Sequence, residues 1–187
     1  MGVPNRKMSL REFLEWENAQ PDRNEYYRGE VFAIVGGRRT HGRVVGNLVY
    51  RLNRHLEGSP CQVFSESMKV QIADDAIFYP DVFVTCDAAD LRTEMIFRAP
   101  LVVIEVLSTQ AYDRSQKFAL YRRLPSLREY VLVDPESRRV ETFRLGTDGL
   151  WVLHDMSESA ALSIAAIDAR LPLAEVFAGL DQADSAA

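Results

Sequence analysis

The chain has 187 residues, of which 47% are hydrophobic and 26% are charged, a composition typical of an ordinary globular protein. This length suits one domain with a sizeable core, so we expect a single domain over residues 1–187, with a short N-terminal helix and a C-terminal tail as extensions. The net charge of −5 argues against a general polyanion binder, although it leaves room for a local basic groove.

Hydropathy and cysteine content predict the compartment. No apolar run approaches the roughly 20 residues of a membrane span, and the first residues lack the apolar stretch of a signal peptide. Two cysteines, Cys61 and Cys86, are too few for a disulfide framework or a tetrahedral zinc site. We therefore expect a cytoplasmic protein without membrane contact, in which both cysteines are small buried hydrophobic side chains.

The first third of the chain predicts a helix, a hairpin and a longer helix. Ser9 and Glu12 form a capping-box pattern at the start of LREFLEW, which predicts a short helix. EYYRGEVFAIV predicts two strands that turn at Gly29, and a loop with the sequence GGRRTHG follows. From Thr40 a helix is predicted, because apolar residues recur every four positions. They are Val44, Leu48, Leu52 and Leu56.

The rest of the chain predicts mainly strands. CQVFSESMKVQI alternates as one strand, with Glu66 on its apolar face, and YPDVFVTC is the next. LVVIEVLS is a continuous apolar run that predicts a central strand covered on both faces. A helix over 113–124, the buried strand EYVLVD and its return VETFRL follow, whereas WVLHD and LPLAEVFAGL are interpreted as peripheral. This order predicts an α/β (α+β) fold with one mixed sheet flanked by helices.

Glu105 and Asp81 are the first candidates for chemistry. An ionised carboxylate at Glu105, inside an apolar run, is costly unless it is paired or bound to a metal. The alternative is a structural ion pair or a solvated strand end. Asp81 follows Pro80, which marks a strand start, edge or bulge. A carboxylate there can face a cleft, although Pro-Asp is also a common turn dipeptide.

Lys117 lies in the first turn of the predicted helix, where the helix dipole makes a cation mildly unfavourable. Alone it could be a surface lysine. Together with two carboxylates on neighbouring strands it indicates Mg²⁺ chemistry, because Mg²⁺ prefers oxygen ligands. The metal would activate a water and stabilise charge on a phosphate, and the lysine would assist.

Three segments carry a resemblance to a known family: YPDVFVTCD, PLVVIEVLS and YDRSQKFALYRRLPSLREYVLVDP. They resemble the Uma-type family of proteins described as restriction endonucleases, which belongs to the PD-(D/E)xK nuclease superfamily. The upstream segment EYYRGEVFAIVGGRRTHGRVVGNLVYRL is also similar, with a glutamate and tyrosine before a Gly-Glu hairpin and a histidine opening the long helix. The resemblance covers roughly residues 8 to 180 and implies a restriction-endonuclease-like core.

The resemblance also implies residue roles. Asp81 would be the motif aspartate, Glu105 the second acid, and the carbonyl of Val106 a further ligand for Mg²⁺ or Mn²⁺. Leu107 stands where the superfamily has its lysine. The family's usual solution is a lysine on the following helix, which here is Lys117.

Three further residues are candidates for the same site. The superfamily often adds a glutamate from an early helix, and Glu30 and Glu66 are the candidates for it, although neither is predicted to be helical. His41, which opens the long helix, is a candidate contact for a phosphate or a second metal. The alternative is a histidine that only forms local hydrogen bonds.

These residues favour a Mg²⁺-dependent DNA endonuclease, with DNA as the partner and a homodimer as a plausible assembly. Basic residues that could track the DNA backbone are Arg38, Arg39, Arg43 and Arg114. A catalytically inactive nucleic-acid-binding module with the same fold is the main alternative, because Leu107 replaces the expected lysine. A role without nucleic acid would leave Glu105 as a structural ion pair.

Overall fold

The computed structural model describes residues 7–34, 36–107 and 116–181. The helices are α1 (Leu10–Glu17), α2 (Arg39–His55), α3 (Gln116–Tyr121) and α4 (Leu173–Val176). The strands are β1 (Asn24–Tyr27), β2 (Glu30–Ala33), β3 (Gln62–Ser65), β4 (Lys69–Ile72), β5 (Ala76–Phe78), β6 (Val82–Thr85), β7 (Ile96–Phe97), β8 (Val102–Val106), β9 (Glu129–Asp134), β10 (Arg139–Leu145), β11 (Trp151–Asp155), β12 (Ala161–Ile164) and β13 (Ala169–Pro172).

The strands form two main sheets rather than the one sheet predicted. A five-stranded sheet has the order β2-β1-β5-β4-β7, a six-stranded sheet has the order β11-β10-β9-β8-β6-β3, and β12 pairs with β13. The six-stranded sheet is mixed, because β8 and β9 run parallel while β6 and β8 run antiparallel. The α/β class with helices against mixed sheets is therefore confirmed, and the number of sheets is corrected.

The N-terminal elements form as their sequence predicts. The Ser9 side chain accepts a hydrogen bond from the Glu12 backbone while the Glu12 carboxylate accepts from Ser9, so the capping box is present. Phe13 of α1 is fully buried and stacks on Tyr26 of β1 with ring centroids 5.0 Å apart. This contact fixes α1 against the five-stranded sheet.

Strand β8 is the centre of the larger sheet, as the apolar run predicts, and all five of its residues are buried. Its side chains alternate between two cores. Val102, Ile104 and Val106 belong to the cluster that contains the apolar face of α2. Val103 belongs to the aromatic cluster on the opposite face, and by alternation Glu105 shares that face.

The segment from Gln62 to Ile72 is not the single strand that its alternation predicts. It divides into β3, which pairs with β6 in the larger sheet, and β4, which pairs with β5 in the smaller one. The chain changes sheets at Glu66, which has a φ of +40°, a region that L-residues other than glycine rarely adopt. Glu66 is exposed and lies in the loop that connects β3 to β4.

The C-terminal segment belongs to the core, so its interpretation as peripheral is wrong. Val176, Phe177 and Leu180 are buried in the same cluster as the apolar face of α2. Asn47 of α2 donates hydrogen bonds of 2.9 and 3.0 Å to the carbonyls of Val176 and Ala178. Strand β11 lies at the sheet edge, as expected for a peripheral element.

The two cysteines form a disulfide bond, which corrects the prediction of two separate buried thiols. The antiparallel pair Gln62 and Thr85 ends the β3–β6 register, and Cys61 and Cys86 are the next residues outward on the two strands. Both cysteines are half-buried. Because the two cysteines are 25 residues apart in the sequence, the sequence alone did not indicate that they lie opposite each other.

Within the described ranges, no helix combines the length and the apolar character needed to cross a membrane.

Candidate active site

A cleft of about 1100 Å³ gathers most of the residues predicted for the site. Its walls come from the β1–β2 hairpin, the start of α2, the sheet-changing loop, β8 and α3. The predicted residues that line it are Arg38, His41, Glu66, Asp81, Glu105, Val106 and Lys117.

Asp81 occupies the centre of this arrangement. Its Oδ2 accepts a 2.7 Å hydrogen bond from the Val106 backbone, and its Oδ1 lies 3.1 Å from His41 Nε2. Val82 pairs with Ile104 in the β6–β8 register, and continuing that register by one position sets Asp81 opposite Glu105. Residues directly opposite on antiparallel strands have Cβ atoms about 5 Å apart, and both residues line the cleft.

Glu105 is a buried carboxylate with a lysine beside it. Only 6% of the residue is exposed, and Lys117 Nζ lies 4.0 Å from Glu105 Oε1. The phenol of Tyr121 lies in the same region, where burial, followed by the charges of Glu105 and Glu25, raises its pKa well above the usual value. Tyr121 therefore stays protonated beside the acids.

Glu25 of β1 is a site residue to which the sequence interpretation assigned no role. Its Oε1 accepts hydrogen bonds from Lys117 Nζ at 3.0 Å and from the Tyr79 backbone at 3.2 Å. The resemblance had included the glutamate before the hairpin, which was the available signal. It carried no role because its partner Lys117 is 92 residues away in the sequence.

His41 and Glu66 also lie close to Asp81. One ligand atom from each of His41, Glu66 and Asp81 lies within 4.8 Å of the other two. The hydrogen bond to Asp81 raises the pKa of His41, although burial opposes this. The guanidinium of Arg23, a cleft residue that was not predicted, donates to the Glu66 carbonyl.

The donor chemistry of the cleft fits a divalent cation. One donor set, His41, Glu66 and Asp81, has its ligand atoms close together. The set predicted from the sequence, Asp81 with Glu105 and the Val106 carbonyl, lines the same cleft. Carboxylate and carbonyl oxygens are the ligands that Mg²⁺ and Mn²⁺ prefer, and an imidazole nitrogen suits Mn²⁺ or later transition metals. Three close ligand atoms from separate elements make this fit independent of sequence similarity.

Other predicted residues lie elsewhere. Glu30 is exposed on β2 and does not line the cleft. Arg38 lines the cleft and forms an ion pair with Glu136. Arg39 and Arg43 instead lie against the C-terminal segment, where Arg39 donates to the Leu180 carbonyl and Arg43 is close to Gly179.

Two predictions cannot be placed. Arg114 and the predicted helix start at Asp113 lie outside the described residues.

A mixed sheet flanked by helices, with acidic side chains from neighbouring chain segments in one cleft, is consistent with a restriction-endonuclease-like core. The family model described as "Uma2: Putative restriction endonuclease" matches residues 10–174. The chain therefore belongs to the Uma2 family, as its sequence motifs had indicated.

Two relatives and one solved structure are consistent with this membership. The uncharacterized proteins slr1290 and sll1609 of Synechocystis sp. are 33% and 32% identical to this chain. The first alignment covers 95% of both chains, and the second covers 83% of this chain and 91% of the relative. A crystal structure described as a putative nuclease belonging to DUF820, from Anabaena variabilis, superposes with a TM-score of 0.72 at 19% identity. That superposition covers 91% of this chain and 97% of the other, and it shows a shared fold.

Proposed function

We propose that this protein is a Mg²⁺- or Mn²⁺-dependent endonuclease that hydrolyses phosphodiester bonds in DNA. The observation that carries the proposal is that Asp81, at the start of β6, and Glu105, on the neighbouring strand β8, line one cleft. Lys117 lines the same cleft, 4.0 Å from Glu105. Membership of a family described as restriction endonucleases supports a nuclease. The metal, the DNA substrate and the residue roles are our inference.

The proposed roles follow from the chemistry of the side chains. Asp81, Glu105 and the Val106 carbonyl would hold the cation, which when bound makes a water more acidic and stabilises charge on phosphate. The Val106 backbone donates to Asp81 and so fixes the orientation of the carboxylate. Lys117 would donate a hydrogen bond to the phosphate oxygen as negative charge develops there.

His41 and Glu66 are two further side chains that could act together with Asp81. His41 would either complete the donor set with Glu66 and Asp81 or contact a phosphate from its position at the start of α2. Glu66 would contribute its carboxylate from the exposed loop. Glu30, which was a candidate for the additional glutamate, has no proposed role because it lies outside the cleft.

Arginines of the rim would bind the DNA backbone. Among the described residues that line the cleft, Arg23 and Arg38 are the arginines, and we assign them the phosphate groups next to the scissile bond. Arg39, Arg43 and Arg114 would extend this contact beyond the cleft. Binding that depends on such contacts weakens with salt.

We also propose the setting in which the enzyme acts. The chain would work as one cytoplasmic domain without membrane contact. Two copies would form a homodimer, because cutting both strands of a duplex is easier with two active sites.

Leu107 favours one other candidate, a nucleic-acid-binding module that has lost catalysis. It occupies the position of the superfamily lysine, and it lines the cleft beside Lys117. Under this alternative the protein binds DNA in a salt-dependent way but does not cut it with any metal.

Plasmid nicking separates the two candidates. Wild type, Asp81→Asn, Glu105→Gln and Lys117→Ala are incubated with supercoiled plasmid and Mg²⁺ or Mn²⁺, beside Glu57→Gln, a matched change at an exposed position. We expect nicking by wild type and Glu57→Gln only. Nicking that survives Asp81→Asn would contradict the site assignment, and DNA binding without nicking by any form would favour the inactive module.

A further inference from the structure

Lysine is scarce in this chain, and its placement is informative. The sequence has three lysines, Lys7, Lys69 and Lys117, beside nineteen arginines. Lys7 is exposed. Each of the other two is largely buried and forms an ion pair with a glutamate, Lys69 with Glu17 and Lys117 with Glu25. Since the cost of removing both charges from water can exceed the attraction within a buried ion pair, these pairs require an explanation.

Lys117 lies closer to Glu25 than to Glu105. Its Nζ is 3.0 Å from Glu25 Oε1 and 4.0 Å from Glu105 Oε1, and it sits 5.6 Å from the centre of the Phe78 ring. The side chains of Lys117 and Glu25 are only 14% and 12% exposed. A lysine has a long flexible stem, which the ion pair with Glu25 restrains.

Glu25 is itself fixed in place. Its strand lies between β2 and β5, and its Oε1 accepts a second hydrogen bond from the Tyr79 backbone. Because Tyr79 follows β5 directly, this bond joins the carboxylate to the next strand of the same sheet. Glu25 is therefore a rigid acceptor for Lys117.

A buried ion pair lies behind Tyr79. The Tyr79 hydroxyl donates to Glu17, whose other oxygen is 2.7 Å from Lys69 Nζ. Lys69 also donates to Asn18 Oδ1 at 2.9 Å. The contacts form a continuous path from α1, through Tyr79 and Glu25, to Lys117.

We propose that Glu25 is a positioning residue that holds Lys117 at its present place, 3.0 Å from Glu25 and 4.0 Å from Glu105, and so limits competition between Lys117 and a divalent cation for the Glu105 carboxylate. The Glu17–Lys69 pair fixes Tyr79 and, through it, Glu25. This inference rests on the proposed function, because it assigns Lys117 and Glu105 to one active site. Glu25 acts through Lys117 and does not itself touch the substrate.

A double-mutant cycle without metal tests whether Glu25 holds Lys117. Wild type, Glu25→Gln, Lys117→Ala and the double variant are melted beside Glu57→Gln as the matched control. Because the two side chains of a paired couple do not contribute independently, we expect the double variant to melt about 2–4 °C above the value that additivity predicts. Additive effects would overturn the proposal.

Mn²⁺ affinity of the same proteins, measured by calorimetry, tests the consequence. We expect Glu25→Gln to weaken Mn²⁺ binding about tenfold, which is about 1.4 kcal/mol, and to change it less than about twofold when Lys117 is already alanine. An equal loss in both backgrounds would mean that Glu25 acts by its own charge, and this would overturn the proposal. Absence of Mn²⁺ binding by wild type would instead remove the proposed metal-dependent function, while the metal-free cycle still decides whether Glu25 holds Lys117.

Discussion

Replacing Lys69 with methionine should strongly destabilise the protein. The change keeps the length of the side chain but removes the ammonium that lies 2.7 Å from Glu17, and these side chains are only 7% and 5% exposed. Glu17 would then be a buried anion that keeps, among the described residues, the Tyr79 hydroxyl as its hydrogen-bond donor.

The magnitude follows from this burial. Removing one partner of a buried ion pair costs about 3–5 kcal/mol, a large share of the roughly 5–15 kcal/mol that stabilises a typical domain. For a chain of 150–250 residues each kcal/mol lowers the melting temperature by about 2–4 °C. Lys69→Met should therefore lower the melting temperature by about 6–20 °C.

Urea unfolding measures the loss directly. Lys7→Met is the matched control, since Lys7 is exposed, and it should change the free energy of unfolding by less than about 0.5 kcal/mol. The double variant Lys69→Met/Glu17→Gln should recover part of the loss, because no unpaired charge stays buried. A loss below about 1 kcal/mol for Lys69→Met would refute the reasoning, since a pair of that strength behaves like a solvated surface pair.

Three further predictions concern the metal, acid stability and the disulfide. Saturating Mn²⁺, at about 100 times its Kd, should raise the melting temperature by about 5–10 °C. Glu105→Gln should abolish this rise, whereas Glu66→Gln should only reduce it. If both variants lost the rise to the same extent, our choice of the main donor set would be contradicted. Hydrogen bonds and charge from two arginines lower the pKa of Asp75 below its ordinary 3.8, so its stabilising effect is present above that value and lost as the pH falls through the lowered pKa. Asp75→Asn should therefore flatten the loss of stability in urea titrations between about pH 5 and pH 2, whereas an unchanged slope would contradict it. The Cys61–Cys86 disulfide closes a loop of 25 residues, so reducing it should lower the free energy of unfolding by about 3 kcal/mol. The loss is measured as a lower melting temperature in the presence of reductant. A melting temperature that does not change with reductant would show that the bond does not stabilise the fold.

The central strand and its carboxylate were predictable from sequence. β8 is a continuous apolar run, which indicates a strand covered on both faces, and a charged residue within it requires compensation. This reasoning identified Glu105 without knowledge of the residues that surround it in the folded protein. Asp81 and Lys117 were weaker signals, and each gained meaning only in combination with Glu105 and the family resemblance.

The features that were missed depend on contacts between distant parts of the chain. Nothing near Glu25 in the sequence indicates that a lysine from α3 will reach it. The alternation of Phe64, Met68 and Val70 continues across the change of sheets, since periodicity records which face a side chain occupies and not which sheet the strand joins. Cys61 and Cys86 lie opposite each other because of the register between β3 and β6. The sequence positions of two cysteines do not indicate that register.

The backbone conformation at Glu66 sets stability against the metal-binding role proposed for its carboxylate. A left-handed φ suits glycine or asparagine, so selection for folding alone would replace the glutamate. Keeping a carboxylate there carries a standing conformational penalty of about 1–3 kcal/mol. In any lineage that no longer needs the site, glycine or asparagine would become the favoured residue at this corner, so the identity of this residue would help to distinguish working family members from those that only retain the fold.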